Sequence, residues 1–206
     1  DNVLNDQRHV IFSQRKNAMN SNKIFEYSDE FLNEIIDNII RLKVLKSSNP
    51  SKIDFDNKLR AILGKSTNQE EFNDIVSLEE NKLREKITEK FKNARLERTI
   101  FLCENQSKDI EKRIFLQSID LNWKSHIQYL EQLRQVIGLR SYGQRDPLIE
   151  YKKEAFELFS VLLDKLKLDY VTILMNLKIV ENTNNINPKK QRDYGKDIVN
   201  NPKCLL

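Results

Sequence analysis

The chain has 206 residues, 32 % of them charged and 39 % hydrophobic, with 35 Lys and Arg against 31 Asp and Glu for a net charge of +4. That length supports one or two domains with a real core, and only four glycines and four prolines, beside abundant Leu, Ile, Lys, Glu and Asn, mark a mostly helical protein. The charge is too small and too evenly mixed with acids to demand nucleic acid, no uncharged apolar run approaches the roughly 18 residues of a membrane-spanning helix, and Asp1-Asn2 does not open a signal peptide.

Residues 1 to about 21 read as a helix without an N-cap, with Val3 and Val10 on one side and Leu4 and Ile11 beside them, as though the chain began inside a longer helix or were cut from a larger protein. From Phe31 to Leu45 the residues Phe31, Leu32, Ile35, Ile36, Ile39, Ile40 and Val44 give a strong helical stripe, and Ser28-Asp29-Glu30 ahead of it supplies a cap and an acidic first turn. Ser47-Ser48-Asn49-Pro50-Ser51 breaks the pattern. A weaker helix over 54–64 ends at Gly64 as its C-cap. Ser66-Thr67-Asn68-Gln69-Glu70 opens another short one through Val76, and Ser77 with Glu80 forms a capping box for a long charged helix toward Cys103.

Two long amphipathic arms follow, and the rest of the chain is organised around them. On the first, Leu116, Ile119, Trp123, Ile127, Leu130, Leu133 and Ile137 recur at steps of three and four; on the second, Tyr151, Ala155, Leu158, Leu162, Leu166, Tyr170, Ile173 and Leu177 do the same. Gly138 and Gly143 interrupt the pattern, and Asp146-Pro147 restarts the helix, Asp as N-cap and Pro at the first helical position, where its missing N–H costs nothing. So short a loop makes the arms an antiparallel αα-hairpin. Trp123, Leu130 and Ile137 are its expected core, with the sole tryptophan as anchor. Residues 182–206 are polar and aperiodic and read as a disordered tail.

Catalytic chemistry is not visible. There is no GxxxxGK[ST] and no GxGxxG. His9 and His126 lack metal-ligand spacing to a Cys or acid motif, so no metal site and no catalytic residue is assigned; His126, a turn from Trp123 and Leu130, reads as a half-buried helix residue. Cys103 and Cys204 share no metal or redox motif, which fits a reducing compartment and hence the cytoplasm. The hairpin tip is different, because Tyr142 sits there between Arg140 and Arg145 with no core to join. One reading is an ordinary interhelical loop. The other is a contact element, an amphipathic ring that touches a chain of any sequence beside cations that pair with acidic groups.

The run Phe115-Leu116-Gln117-Ser118-Ile119-Asp120-Leu121-Asn122-Trp123-Lys124-Ser125-His126, followed by Tyr129 through Pro147 and closing on Glu150-Tyr151-Lys152-Lys153-Glu154-Ala155-Phe156, resembles the C-terminal region of SecA, the bacterial ATPase that pushes preproteins through the SecY channel. Asn5 through Arg15 resembles the end of that family's long scaffold helix. The resemblance implies an all-α fold with residues 1–21 as the end of the scaffold helix, 22–108 as a helical wing, 109–181 as the two-helix finger and 182–206 as a C-terminal linker. It further implies that Tyr142 is the tip tyrosine that contacts the translocating polypeptide, with Arg140 and Arg145 in the same loop facing preprotein or channel. Partners would be the SecY channel, unfolded preprotein, the ATPase core of the same motor and an anionic membrane surface, at the inner face of the bacterial cell membrane. The nucleotide-binding domains that take ATP and Mg in that family are not in this sequence, so the segment is expected to be no enzyme by itself and to hold no cofactor. The family's C-terminal zinc motif is also missing, with Asn200-Asn201-Pro202-Lys203-Cys204 at best an echo of its start. A competing class is a stand-alone helical adaptor or RNA-binding protein using the basic tip and Lys189-Lys190-Gln191-Arg192 on phosphates. Such binding weakens steeply with salt, whereas a tyrosine contact with a polypeptide does not.

Overall fold

The computed structural model describes residues 2–20, 23–48, 55–64, 67–138 and 146–179. Among them are six helices and no strand: α1 (Asn2–Asn20), α2 (Ile24–Ser48), α3 (Phe55–Leu63), α4 (Gln69–Ser77), α5 (Glu80–Ile137) and α6 (Pro147–Asn176). The expected all-α class is what the chain adopts.

Local chemistry accounts for several helix ends. Gly64 stops α3 in the left-handed conformation, at φ 69°, while its N–H closes a 2.9 Å bond to the Arg60 carbonyl. Asn68 caps α4 by accepting the Glu71 N–H at 2.8 Å, and Asp146 caps α6 by accepting the Leu148 N–H at 2.8 Å, with Pro147 next. Two expected caps are not caps. Helix α2 starts at Ile24, ahead of Ser28-Asp29-Glu30, because Ile24 is itself buried in the core and carries the helix a turn further back. Ser28 thus lies inside the helix, its hydroxyl 2.8 Å from the Ile24 carbonyl. Ser77 likewise belongs to the end of α4, donating to the Asp74 carbonyl at 2.7 Å, and Glu79 takes the N-cap position of α5 without a side-chain bond.

Helix α5 is not one rod. Cys103 sits within it at φ 66°, ψ 162°, a conformation essentially reserved for glycine. Arg95 and Glu111, 16 residues apart, would lie about 24 Å apart along a straight helix. Instead the Arg95 Nε meets the Glu111 Oε1 at 3.2 Å. The arms 80–102 and 104–137 therefore double back on each other at Cys103. The second arm then pairs antiparallel with α6, as the contacts Phe115–Tyr170, Asn122–Asp169 and His126–Phe159 run in opposite chain directions. At 30 residues α6 is about 45 Å long. Helix α1 lies along this hairpin, antiparallel to the second arm, with Gln7 against His126 and Arg15 paired to Asp120.

One large apolar cluster draws on all six helices, from Ile11 and Ala18 of α1 to Leu166, Tyr170 and Leu174 of α6. A smaller one lies toward the distal end of the hairpin, where Leu130, Leu133, Ile137, Tyr151 and Ala155 meet Val3, Leu4 and Leu158. The hairpin is thus packed from base toward tip.

Candidate functional site

Tyr142, Arg140 and Arg145 lie outside the described residues, and the site is approached through the stem that carries them. Leu130 and Ile137 are buried in the distal cluster. Trp123 is only half-buried, laid against the larger cluster beside the His126 ring at 5.5 Å, so it is a flank of the core and not its fully buried anchor. The buried line of the first arm also runs beside the expected one: Ile127 is 38 % exposed, while Phe115, Ser118, Asn122 and His126 are buried in its place.

Polar members of that line tie three helices together. Asn122 donates to the Asp169 carboxylate at 3.2 Å. His126 is 3 % exposed, and its Nε2 lies 2.7 Å from the Gln7 Oε1. The Gln7 amide nitrogen donates to the Ala155 carbonyl at 3.0 Å, which can only accept, so Gln7 turns its oxygen to the imidazole. The imidazole proton therefore sits on Nε2, and α1 is joined through Gln7 to both arms of the hairpin.

Burial pushes the His126 pKa below the ordinary histidine value. With the folded value below the unfolded one of about 6.5, neutral His126 favours the fold fully above that pH, and the contribution is lost as pH falls toward the folded value. Acidification from about pH 7.5 to 5.5 is expected to lower the urea midpoint of the wild type more than that of His126→Gln. Equal pH slopes would show that the ring titrates normally. His9 is exposed and serves as the control position.

At the base of the hairpin lies a cluster that no motif announced. Glu111 is fully buried and accepts from Arg98 at 3.0 Å, Arg95 at 3.2 Å and Ser28 at 2.8 Å. Arg98, 2 % exposed, also donates to the Leu174 carbonyl at 2.6 Å. The single Ser28 hydrogen faces two acceptors, the Ile24 carbonyl and Glu111, so the Tyr170 hydroxyl 2.7 Å away must donate to Ser28. Burial, seconded by the Glu111 charge, raises the Tyr170 pKa far above its usual value and keeps that proton in place. Arg95 reaches outward to Asp29 at 2.8 Å and stacks 4.4 Å over the Phe25 ring. Four segments meet here: α2, both arms of α5, and α6.

Among the described residues no group of three or more His, Cys, Asp or Glu side chains could hold a metal ion, and no helix is long and apolar enough to cross a membrane. Tyr129, Val136, Leu148, Ile149 and Phe156 are 49 to 71 % exposed, all on the distal half of the hairpin.

These features define a class: an all-α scaffold with a braced helical hairpin whose distal half carries exposed apolar side chains. The chain matches the model of the SecA wing and scaffold domain over residues 1–178. It is 59 % identical over 206 residues to the protein translocase subunit SecA of Pelagibacter ubique, covering 100 % of this chain and 24 % of that protein. Proteins of the same name from Caulobacter vibrioides and Bartonella bacilliformis are 34 % and 35 % identical over 182 and 184 residues, covering 87 % and 88 % of this chain and 20 % of each relative. The chain belongs to the SecA family. It spans about a quarter or less of the length of these relatives.

Proposed function

We propose that this chain is the part of a SecA translocase that meets the SecY channel and the preprotein and couples them to the ATPase core of the same motor. In this reading residues 1–21 and 109–181 belong to the scaffold and 22–108 to the wing, and the hairpin is the finger. Tyr142 touches the moving polypeptide, Arg140 and Arg145 flank it, and the work is done at the cytoplasmic face of the bacterial membrane, against an anionic lipid surface. ATP and Mg would be bound by the remainder of the motor, so this segment transmits force and catalyses nothing.

The observation that carries the reading is the stem. Apolar packing continues from the large cluster to Ile137 and Tyr151, and Gln7 bonds α1 to both arms, so a push at the base moves the tip and is not absorbed by bending. The exposed Tyr129, Leu148, Ile149 and Phe156 near the tip supply apolar area of the kind that engages unfolded chains without sequence preference. A tyrosine needs no defined partner sequence, because its ring contacts apolar groups and its hydroxyl contacts main-chain amides.

The test is site-specific photo-crosslinking from position 142 of a full-length motor carrying this segment, with channel-containing membranes and a stalled preprotein. Adducts with preprotein or channel are expected. Their absence, while control positions elsewhere in the motor still label the substrate, would reduce the hairpin to a scaffold. In the same motor Tyr142→Ala is expected to slow translocation severalfold with the helical content unchanged, and undiminished transport would count against the tip as the contact.

A further inference from the structure

Among the described residues the chain passes twice between the hairpin with α1 and the layer formed by α2, α3, α4 and the first arm of α5: once after Asn20 and once at Cys103. Two crossings leave a rotational freedom that non-covalent contact must remove. Most of the contact is apolar, with Leu32, Ile36 and Phe91 of the layer sharing a cluster with Phe115, Leu166 and Tyr170 of the hairpin. Apolar surfaces attract without direction, and side chains of similar shape can interdigitate in more than one register. Directional contacts also cross this boundary, the Asn176 bond to the Ile62 carbonyl and the exposed Lys167–Glu34 pair among them, and the Glu111 cluster is the one whose carboxylate is fully buried. Glu111 lies eight residues after Cys103 and Arg95 eight before it, so their bond closes the double-back symmetrically. Ser28 and Asp29 join from α2, and Tyr170 and the Leu174 carbonyl from α6.

We propose that the Glu111 cluster, Arg95, Arg98, Ser28 and Tyr170 with it, is a seating clasp that selects one orientation of the α2–α4 layer on the hairpin base. Its role is specificity more than stability. A buried ion pair regains in attraction roughly what it loses in desolvation, and its best-attested use is to fix register. Arg98 Nε, buried in the cluster, has no hydrogen-bond partner among the described residues, which fits a cluster shaped for position and not for maximum bonding. The lever explains why position matters: over the roughly 45 Å of α6, a tilt of about 10° at the base displaces the far end by about 8 Å.

The test places spin labels, carried on ketone-bearing unnatural residues, at the exposed Asn38 of α2 and Gln132 of the hairpin, and measures their distance distribution by pulsed electron resonance in the full chain. In Glu111→Met/Arg98→Met, which refills the site with apolar side chains, the urea midpoint is expected to stay near the wild-type value while the distribution broadens at least about twofold or splits. A distribution as narrow as the wild type in this folded variant would overturn the proposal. Glu111→Gln, which keeps the shape and loses the charge, is the second variant and is expected to broaden the distribution by a smaller factor. Should neither variant fold, the cluster is a stabilising element and the proposal fails. Asp120→Asn, which removes the exposed pair with Arg15, is expected to leave the distribution unchanged.

Discussion

Arg98→Ala is expected to destabilise the chain by about 3–5 kcal/mol in urea unfolding, the range for removing one partner from a buried pair. Arg98 is 2 % exposed and Glu111 fully buried, so the substitution leaves a carboxylate away from water with Arg95 and Ser28 as its donors among the described residues. It also strips the Leu174 carbonyl of its donor in the last turn of α6. Arg95 remains, which places the value toward the lower end of the range. Arg15→Ala provides the contrast. The Arg15–Asp120 side chains are 39 % and 54 % exposed, and pairs of that kind are worth about 0–1 kcal/mol. Both substitutions delete an arginine from an ion pair, and only environment separates them. Similar effects at the two positions would mean that water reaches Glu111 in solution, and the cluster would then lose its power to fix orientation.

The reason that cluster escaped the sequence reading is geometric. Arg98 and Glu111 stand 13 residues apart in one helical run, a spacing with no meaning unless the chain reverses between them. The charged helix was expected to end toward Cys103, where it does break, but cysteine is a residue type with no preference for positive φ, so nothing in the pattern marked a reversal there. Helix ends set by local chemistry were legible: Gly64, Asn68 and Asp146-Pro147 do in the fold what their residue types suggest. Ser28 and Ser77 misled because a serine hydroxyl caps, back-bonds to its own helix or joins a tertiary network with equal ease, and only distant partners decide. Glu111 and Tyr170, which claim Ser28, are 83 and 142 residues away. The period was right on both hairpin arms and the phase slightly off on the first, because periodicity counts apolar residues while the buried line of that arm includes Ser118, Asn122 and His126. A buried histidine is invisible until its acceptor, here Gln7, is known. The tip motif was the reverse case, specific enough in sequence to point to the family, although residues 139–145 lie outside the described structure.

Gly64→Ala is expected to destabilise the fold by about 2–4 kcal/mol, and a second substitution separates the causes. At φ 69° any Cβ strains the backbone, by about 1–2 kcal/mol for alanine. The new Cβ would also stand 1.5 Å from the Asn176 Oδ1, an overlap that only displacement of that side chain relieves. Asn176 is not free to move without loss, since its amide nitrogen donates to the Ile62 carbonyl at 3.1 Å and to the Thr172 carbonyl at 2.8 Å. It thereby satisfies one of the open carbonyls at the end of α3 and pins that helix, with its buried Phe55, Leu59, Ile62 and Leu63, to α6. Two such bonds contribute about 0.5–1.5 kcal/mol each. Asn176→Ala alone should therefore cost about 1–3 kcal/mol, and in its presence Gly64→Ala should retain only the backbone part. The two substitutions are expected to couple by about 1–2 kcal/mol in a double-mutant cycle, the double variant being more stable than the sum predicts. Strict additivity would show that Asn176 does not press on Gly64 in solution, and α3 would then be held to α6 by its apolar face alone.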